Sequence, residues 1–256
     1  MGNVNGTGDN LFLQQKIKEL EDKLEVINSL AIPTGKSLGS RYSPEQKASV
    51  QNGSFNGLCL GNYWEINGVK WRIVDADYWF NTGDTPCKTH HLVIMPDSIL
   101  KSTKTNETNT SEGGYVGSWL RQYGMEDIKN TIYSIFGEEN ILNHRELLTS
   151  GVTNGYPSNG GWYDSQIEIP NEIMMYGCDI QSPAGNGTVM PYRYQISKTQ
   201  FALMRKHPFF INPLRQHQWL RDVATVSAFA VVNGNGYATY HSTMNILGIR
   251  PVFGLI

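Results

Sequence analysis

The stretch WLRDVATVSAFAVVNGNGYATY, residues 219–240, contains the pattern that sets the fold, because two strand-like runs surround a glycine-rich turn. The runs AFAVV and YATYH flank the tetrapeptide NGNG at residues 233–236, and Asn-Gly pairs are strong signals for hairpin turns. LGIRP follows at residues 247–251. The sequence therefore predicts a C-terminal hairpin that presents a mild, hydrogen-bonding surface of Asn, Gly and Tyr.

Working outward, the chain contains a second hairpin signal in NYWEINGVKWRIVDADYWF, residues 62–80, whose two runs meet at Asn67-Gly68. HHLVIMP, which begins at His90, predicts a short buried strand. Residues 101–114 are rich in Thr and Asn and predict a polar loop. Residues 117–136 carry apolar side chains at helical spacing, with acidic residues suited to the first turn, and predict a helix.

In two later regions, turn-forming and helix-capping residues predict the local structure. Residues 150–191 are rich in Gly, Asn, Pro and Tyr with little periodicity, which predicts a long loop. The tetrapeptide SKTQ at residues 197–200 is a capping-box pattern ahead of Phe201, and it predicts the start of a second helix. The predicted body is therefore α+β, with short, mostly antiparallel strands and two helices.

Residues 11–31 have a different pattern, with apolar side chains spaced alternately by four and three residues. Such spacing is the a/d seam of a coiled coil, and an isolated helix of this length is marginal in water, so the seam predicts a partner helix. Mixed Ile and Leu leaves the number of strands open, and we expect a homotrimer. Packing of the helix on its own domain is the alternative. The predicted oligomerisation residues are Leu13, Ile17, Leu20, Leu24 and Ile27.

These patterns divide the chain into three parts. Residues 1–32 are predicted to form an attachment segment and coiled coil, residues 33–57 a polar linker, and residues 58–256 one compact domain. A length of 256 residues is sufficient for a domain with a sizeable core and an appendage.

Composition and charge argue against nucleic-acid binding, membrane insertion, disulfides and structural zinc. The net charge of −2 gives no electrostatic surface for nucleic acid. No apolar run is long enough to predict a membrane helix, so membrane insertion is not expected. The three cysteines lie far apart without a CxxC pattern, which argues against disulfides and structural zinc.

No sequence motif recommends catalysis or a cofactor. The histidines lack the HExxH and HxH patterns, calcium loops are missing, and neither GxSxG nor a phosphate-binding loop occurs. We therefore expect no metal, no cofactor and no enzymatic activity. Trp64, Trp71, Trp119 and Trp219 are predicted core residues. Trp162, within NGGWYDS, is the best candidate for an exposed aromatic that contacts a ligand.

Two arginines are predicted to have structural roles. Arg250, which precedes Pro251, is expected to anchor the last strand through backbone carbonyls or an acidic group. For Arg221 a structural role is expected, without a specified partner.

The order of these elements resembles a C-type-lectin-like family of unknown function from Gram-positive bacteria and their bacteriophages. The residues that carry the resemblance span about residues 58–256. They are Trp71, the two tripeptides WLR at residues 119–121 and 219–221, and the tetrapeptide GIRP at residues 248–251. The EPN and WND motifs of calcium-dependent lectins are absent, which makes calcium-dependent sugar binding doubtful. The paired cysteines of the related sulfatase-modifying enzymes have no evident counterpart.

The resemblance implies that the C-terminal hairpin displays ligand-binding residues. Carried onto this sequence, the candidates are Asn233, Asn235, Tyr237, Tyr240, His241, Thr243 and Asn245, together with the separately chosen Trp162. Tyr and Asn on a rigid hairpin provide contact area and adaptable hydrogen bonds at low entropic cost.

The resemblance further implies a bacteriophage virion protein, made in the host cytoplasm. It would be a head fibre, tail fibre or decoration protein that contacts other capsid or tail proteins and binds a host-surface glycan or protein. Trimerisation would strengthen weak individual sites through effective concentration. The alternatives are a purely structural capsid or tail clamp and, more remotely, an enzyme of the sulfatase-modifying type.

Overall fold

Residues 12–21, 23, 35–182 and 199–256 are described by the computed structural model. The chain divides into two units, Met1–Thr34 and Gly35–Ile256. In the first unit, residues 12–21 are helical (α1), and Leu13, Ile17 and Leu20 are 54–62% exposed. Leu24 and Ile27 of the predicted seam lie outside the described residues.

The first sheet of the second unit contains the predicted Asn67-Gly68 hairpin. Its five strands run in the order β1-β2-β3-β12-β7, and all neighbours are antiparallel. Asn67 and Gly68 have φ angles of 53° and 75°, the positive values that a tight primed hairpin turn requires. The strands are β1 (Tyr63–Ile66), β2 (Val69–Ala76), β3 (Leu92–Pro96), β12 (Val252–Leu255) and β7 (Ile167–Glu168).

The second sheet has the order β10-β9-β8-β11-β4 and contains the predicted C-terminal hairpin. Its neighbours are antiparallel except for β11 and β8, which are parallel at Gly248 and Gln218. The strands are β10 (Ala238–Ser242), β9 (Ala228–Val232), β8 (Gln218–Thr225), β11 (Leu247–Ile249) and β4 (Lys101–Thr103). Since β4 falls within the predicted 101–114 loop, that prediction is wrong for three residues. They become a strand by pairing with β11, which is distant in sequence.

The helices are few and short. The predicted helix over residues 117–136 is confirmed as a π-helical turn, Leu120–Gly124, followed by α3, whose apolar face buries Ile128, Ile132 and Phe136. The mixture of mostly antiparallel sheets and few helices is an α+β fold. In the described part of the second unit the α-helices are α2 (Pro44–Gln51), α3 (Glu126–Phe136), α4 (Glu172–Tyr176) and α5 (Ala202–Lys206), and the 3₁₀ turns are Glu138–Asn140 and Pro208–Ile211.

Most of the tryptophans form the core. Trp64, Trp71 and Trp219 are fully buried, as predicted, and Trp79 is 1% exposed. Trp119 is only half-buried, so its assignment to the core is wrong in part.

Residues 35–57, predicted as linker, belong to the second unit. Ser37 bridges to Tyr63 of β1, and α2 begins with a complete capping box between Ser43 and Gln46. Gln46 also accepts a 2.9 Å hydrogen bond from the indole of Trp64. The polar composition of this segment predicted a linker. The segment instead belongs to the domain, because its polar side chains form hydrogen bonds with it.

The region 150–191, predicted as a loop, contains a long ribbon. β5 (His144–Thr153) and β6 (Tyr156–Ser165) pair antiparallel around the turn Asn154-Gly155, whose φ angles are 53° and 83°. Much of the ribbon is only half-buried. Its sequence therefore does not alternate between apolar and polar residues, which is the pattern that predicts a strand.

The predicted capping box at residues 197–200 does not cap α5. Ser197 lies outside the described residues, and the helix begins at Ala202, whose N–H donates to Asp75 Oδ2 at 2.8 Å. A carboxylate from β2 therefore provides the cap that the local sequence was expected to supply. Among the helices of the described residues, none is both long and apolar enough to span a membrane.

Candidate ligand-binding surface

The β9–β10 hairpin lies at one edge of the second sheet, where β9 is the single neighbour of β10 among the strands of the described residues. In its register Tyr240 faces Ala230, and Ala238 faces Val232. The connecting turn is closed by hydrogen bonds from Asn233 N–H to the Tyr237 carbonyl at 3.0 Å and from Gly236 N–H to the Asn233 carbonyl at 2.9 Å. Backbone pairing therefore fixes the path of this hairpin.

Asn233, predicted to contact a ligand, has a structural role instead. It is 6% exposed, and its side-chain oxygen accepts the Asn235 N–H at 2.8 Å. Its carbonyl also accepts the side-chain amide of Asn212. The side chain is used to build the turn, so the predicted display role is wrong.

Thr243 is the second residue whose predicted role is wrong, since it is fully buried. Its carbonyl accepts N–H groups from Thr105 and Asn106 at 2.9 and 3.1 Å, and its hydroxyl donates to the Thr108 carbonyl at 3.0 Å. Ser242 adds a 2.7 Å bond to Asn109. These contacts fasten the end of the hairpin to the 105–109 loop.

Four predicted residues are exposed. Tyr237 and Tyr240 are 58% and 50% exposed, and Asn235 and Asn245 are also classed as exposed. His241 is half-buried, and its ring lies 5.3 Å from that of His217. Burial, with a contribution from His217, lowers the pKa of His241 below its ordinary value, so the ring favours the neutral form.

Two apolar residues of the same segment are exposed and were not among the predicted residues. Met244 is 52% exposed and Ile246 is 71% exposed. The short run MNIL has no periodicity that separates an exposed turn from a buried one, so the local sequence contained no signal for them. The exposed residues of this segment, which we call the hairpin surface, are Asn235, Tyr237, Tyr240, Met244, Asn245 and Ile246.

Trp162 belongs to a different element. It lies in β6 opposite Leu147 and is half-buried, and its carbonyl accepts a hydrogen bond from Arg145. The structure therefore does not place it on the hairpin with the other predicted residues.

A buried polar cluster, which no local sequence pattern indicates, contains the side-chain types of acid–base chemistry. Glu146 accepts the Trp79 indole N–H at 2.6 Å and a guanidinium N–H of Arg221 at 3.1 Å. His144 Nε2 lies 3.4 Å from the same carboxylate, and its ring stacks on Trp79 at 4.1 Å. These four residues are at most 6% exposed. The cluster forms a polar core that joins β5 to β8, and it confirms the structural role predicted for Arg221.

A second carboxylate, Glu168, is held in a similar way. It accepts the Tyr115 hydroxyl at 2.7 Å, the Ser165 hydroxyl at 2.9 Å and the Arg121 guanidinium at 3.0 Å. Burial, followed by the nearby negative charge of Glu168, raises the pKa of Tyr115 well above its ordinary value. Tyr115 therefore remains a hydrogen-bond donor, and the carboxylate is neutralised by Arg121.

Within the part of the chain that the structure describes, no group of three or more His, Cys, Asp or Glu side chains is placed to hold a metal ion. All three cysteines are free thiols, with Cys59 and Cys178 exposed and Cys87 half-buried.

Comparison of the chain with protein-family models, with curated proteins and with solved structures finds no match.

Proposed function

We propose that this chain is a non-enzymatic bacteriophage virion protein, a head fibre, tail fibre or decoration protein with a C-type-lectin-like domain. The observation that carries the proposal is the exposure of Tyr237 and Tyr240 on a hairpin whose turn and flanks are fixed by hydrogen bonds. Exposed tyrosines on a rigid support give large contact areas at low entropic cost. Such a surface suits reversible adhesion to a host-surface glycan or protein.

The assembly follows from the first unit. The exposed apolar side chains of α1 support trimerisation through a coiled coil that also attaches the protein to the virion. Three hairpin surfaces on one particle would bind cooperatively through effective concentration. The function needs no cofactor, no nucleic acid and no membrane insertion.

A clamp that joins capsid or tail subunits is the second candidate. It is favoured by the exposure of Met244 and Ile246, because apolar side chains at a surface suit a protein partner better than a hydrated glycan. In a clamp the hairpin surface would be covered by the neighbouring subunit, whereas in an adhesin it would remain free.

The test measures binding of the full chain to purified Gram-positive cell walls with their attached polymers. We expect Tyr237→Ser combined with Tyr240→Ser to weaken binding by about tenfold or more, since aromatic anchors dominate interface energies. Tyr123→Ser is the matched control, because Tyr123 is 64% exposed but lies outside the hairpin. If no cell-wall preparation binds the wild-type protein, the adhesin proposal is wrong and the clamp is favoured.

A further inference from the structure

Two adjoining cavities form what we call the polar cleft. The first, of about 290 Å³, lies between α3 and residues 164–168, and the second, of about 350 Å³, lies between residues 85–89 and the start of β5. Both are bordered by Asn143 and Asp164, so they adjoin at these two residues. Their volumes are appropriate for a small ligand.

The carboxylates that line the cleft form ion pairs with arginines of the same lining. Glu168 is paired with Arg121 at 3.0 Å and accepts two further hydroxyl hydrogen bonds. Asp164 accepts a 3.0 Å hydrogen bond from Arg145, which also pairs with Asp84 at 2.8 Å. Each carboxylate in the lining therefore has a cationic partner, and Asp164 shares its partner Arg145 with Asp84.

Two lysines of the lining are not neutralised. Lys129, on α3, is half-buried and has no ion pair with any described residue. Lys88 donates to the neutral side chain of Asn81. The lining contains four cations and two carboxylates, and Asp84, which pairs with Arg145, adds a third carboxylate beside it. The net local charge is therefore one positive charge, in a chain whose net charge is −2. This local excess favours a ligand that carries negative charge.

Neutral hydrogen-bonding groups accompany these cations. The Tyr133 hydroxyl donates to Gln166 Oε1 at 2.7 Å, and Gln166 itself lines the first cavity, so its NH₂ group is an available hydrogen-bond donor. Asn143 is exposed where the two cavities meet. Apolar side chains are a small part of the lining, among them Ile167 and Pro86. A hydrated, hydroxyl-rich ligand fits this lining better than an apolar one.

We propose that the polar cleft binds an anionic saccharide or polyol, with its carboxylate or phosphate ester at Lys129 and its hydroxyl groups at the side-chain amides of Gln166 and Asn143. Charge-assisted hydrogen bonds of this kind are about twice as strong as neutral ones. The site is separate from the hairpin surface, and the inference does not depend on the proposed function.

The experiment is calorimetric titration of the full chain with three probes. Trigalacturonate supplies carboxylates, a glycerol phosphate trimer supplies phosphate diesters, and fully methyl-esterified trigalacturonate keeps the shape of the first probe without its charge. We expect one or both anionic probes to bind, and the ester to bind at least about tenfold more weakly. The stronger anionic probe identifies which negative group the cleft prefers.

Variants locate the binding to the cleft. Lys129→Gln should weaken binding of the anionic probe by about tenfold, and Lys129→Arg should retain most of it, since a cation at this position is what the ligand requires. Lys206→Gln, which removes an exposed lysine elsewhere, should leave the affinity unchanged. An unchanged urea-unfolding midpoint shows that Lys129→Gln is folded.

The inference is overturned if neither anionic probe binds, if the ester binds as tightly as the acid, or if Lys129→Gln has no effect. Tyr237→Ser combined with Tyr240→Ser should leave binding of the anionic probe unchanged. Loss of cell-wall binding by that double variant together with unchanged titration therefore separates the two sites.

Discussion

Arg250 shows how one residue can join distant parts of this fold. It is 2% exposed, and its guanidinium donates to the carbonyls of Pro96, Phe210 and Ile211 at 2.6, 2.9 and 3.0 Å. The prediction that it anchors the last strand through backbone carbonyls is thus confirmed. Burial lowers the pKa of Arg250 to about 10, so it stays charged at neutral pH.

Replacement of Arg250 by Lys should destabilise the protein despite keeping the charge. One ammonium group cannot reproduce the planar fork that reaches three carbonyls on two segments, and buried carbonyls would lose their donors. We expect the free energy of unfolding to fall by about 3 kcal/mol, because each unsatisfied buried group costs roughly 1–3 kcal/mol. Urea unfolding measures this, with the exposed Arg41→Lys as matched control. Equal stability of the two variants would contradict the anchoring role.

His91 predicts a pH dependence of stability. Its ring is fully buried, its Nε2 accepts the Trp79 backbone N–H at 3.1 Å, and its Nδ1 lies 2.9 Å from the Thr89 carbonyl, an arrangement that fixes the neutral form. Burial lowers its pKa to about 4 from an ordinary value of 6.5. Between these values the unfolded chain binds a proton that the folded chain does not.

The contribution of His91 is therefore present above pH 6.5 and is lost as the pH falls from 6.5 to 4. The loss is at most about 3 kcal/mol, the free energy that corresponds to such a shift. His91→Asn should be less stable at pH 7 but should lose less stability between pH 7 and 4. Urea unfolding at a series of pH values measures both curves, and parallel curves would show that His91 does not titrate in this way.

At the level of elements, the sequence predicted the features that depend on residues close together in the chain. The Asn67-Gly68 hairpin, the β9–β10 hairpin and the apolar face of α3 each follow from a few neighbouring residues. The β5–β6 ribbon and β4 were missed because their strands are polar and form through pairing rather than through an apolar face. The cap of α5 was misassigned because Asp75, which provides it, lies 127 residues away.

The candidate site was predictable only in part for the same reason. Sequence indicated the segment, but burial within it depends on the 105–109 loop, which encloses Thr243, and on Asn212, which holds the Asn233 carbonyl. The exposure of Met244 and Ile246 likewise follows from tertiary packing. The polar cleft joins residues from three distant regions of the chain, so no local motif could indicate it.

At the scale of the whole molecule, the question is what covers the apolar side chains of α1. In the described part of this helix Leu13, Ile17 and Leu20 are more than half exposed, while Glu19 forms ion pairs with Lys16 and Lys23 at 3.0 and 2.6 Å. Exposed pairs of this kind contribute little to stability, because solvent screens them. Since an isolated helix of this length is marginal in water, association with other copies is the expected source of stability.

We expect sedimentation equilibrium of the full chain to give about three times the monomer mass of 28.7 kDa. Ile17→Asp should reduce the measured mass to that of one monomer, because it places a charge at an a position of the seam. Gln15→Asp introduces the same charge at the outward f position and should remain trimeric. A chain beginning at Gly35, where the second unit starts, should be monomeric with an unchanged unfolding midpoint. A monomeric wild-type chain would contradict trimerisation through α1 and would leave the hairpin surface to act as a single weak site.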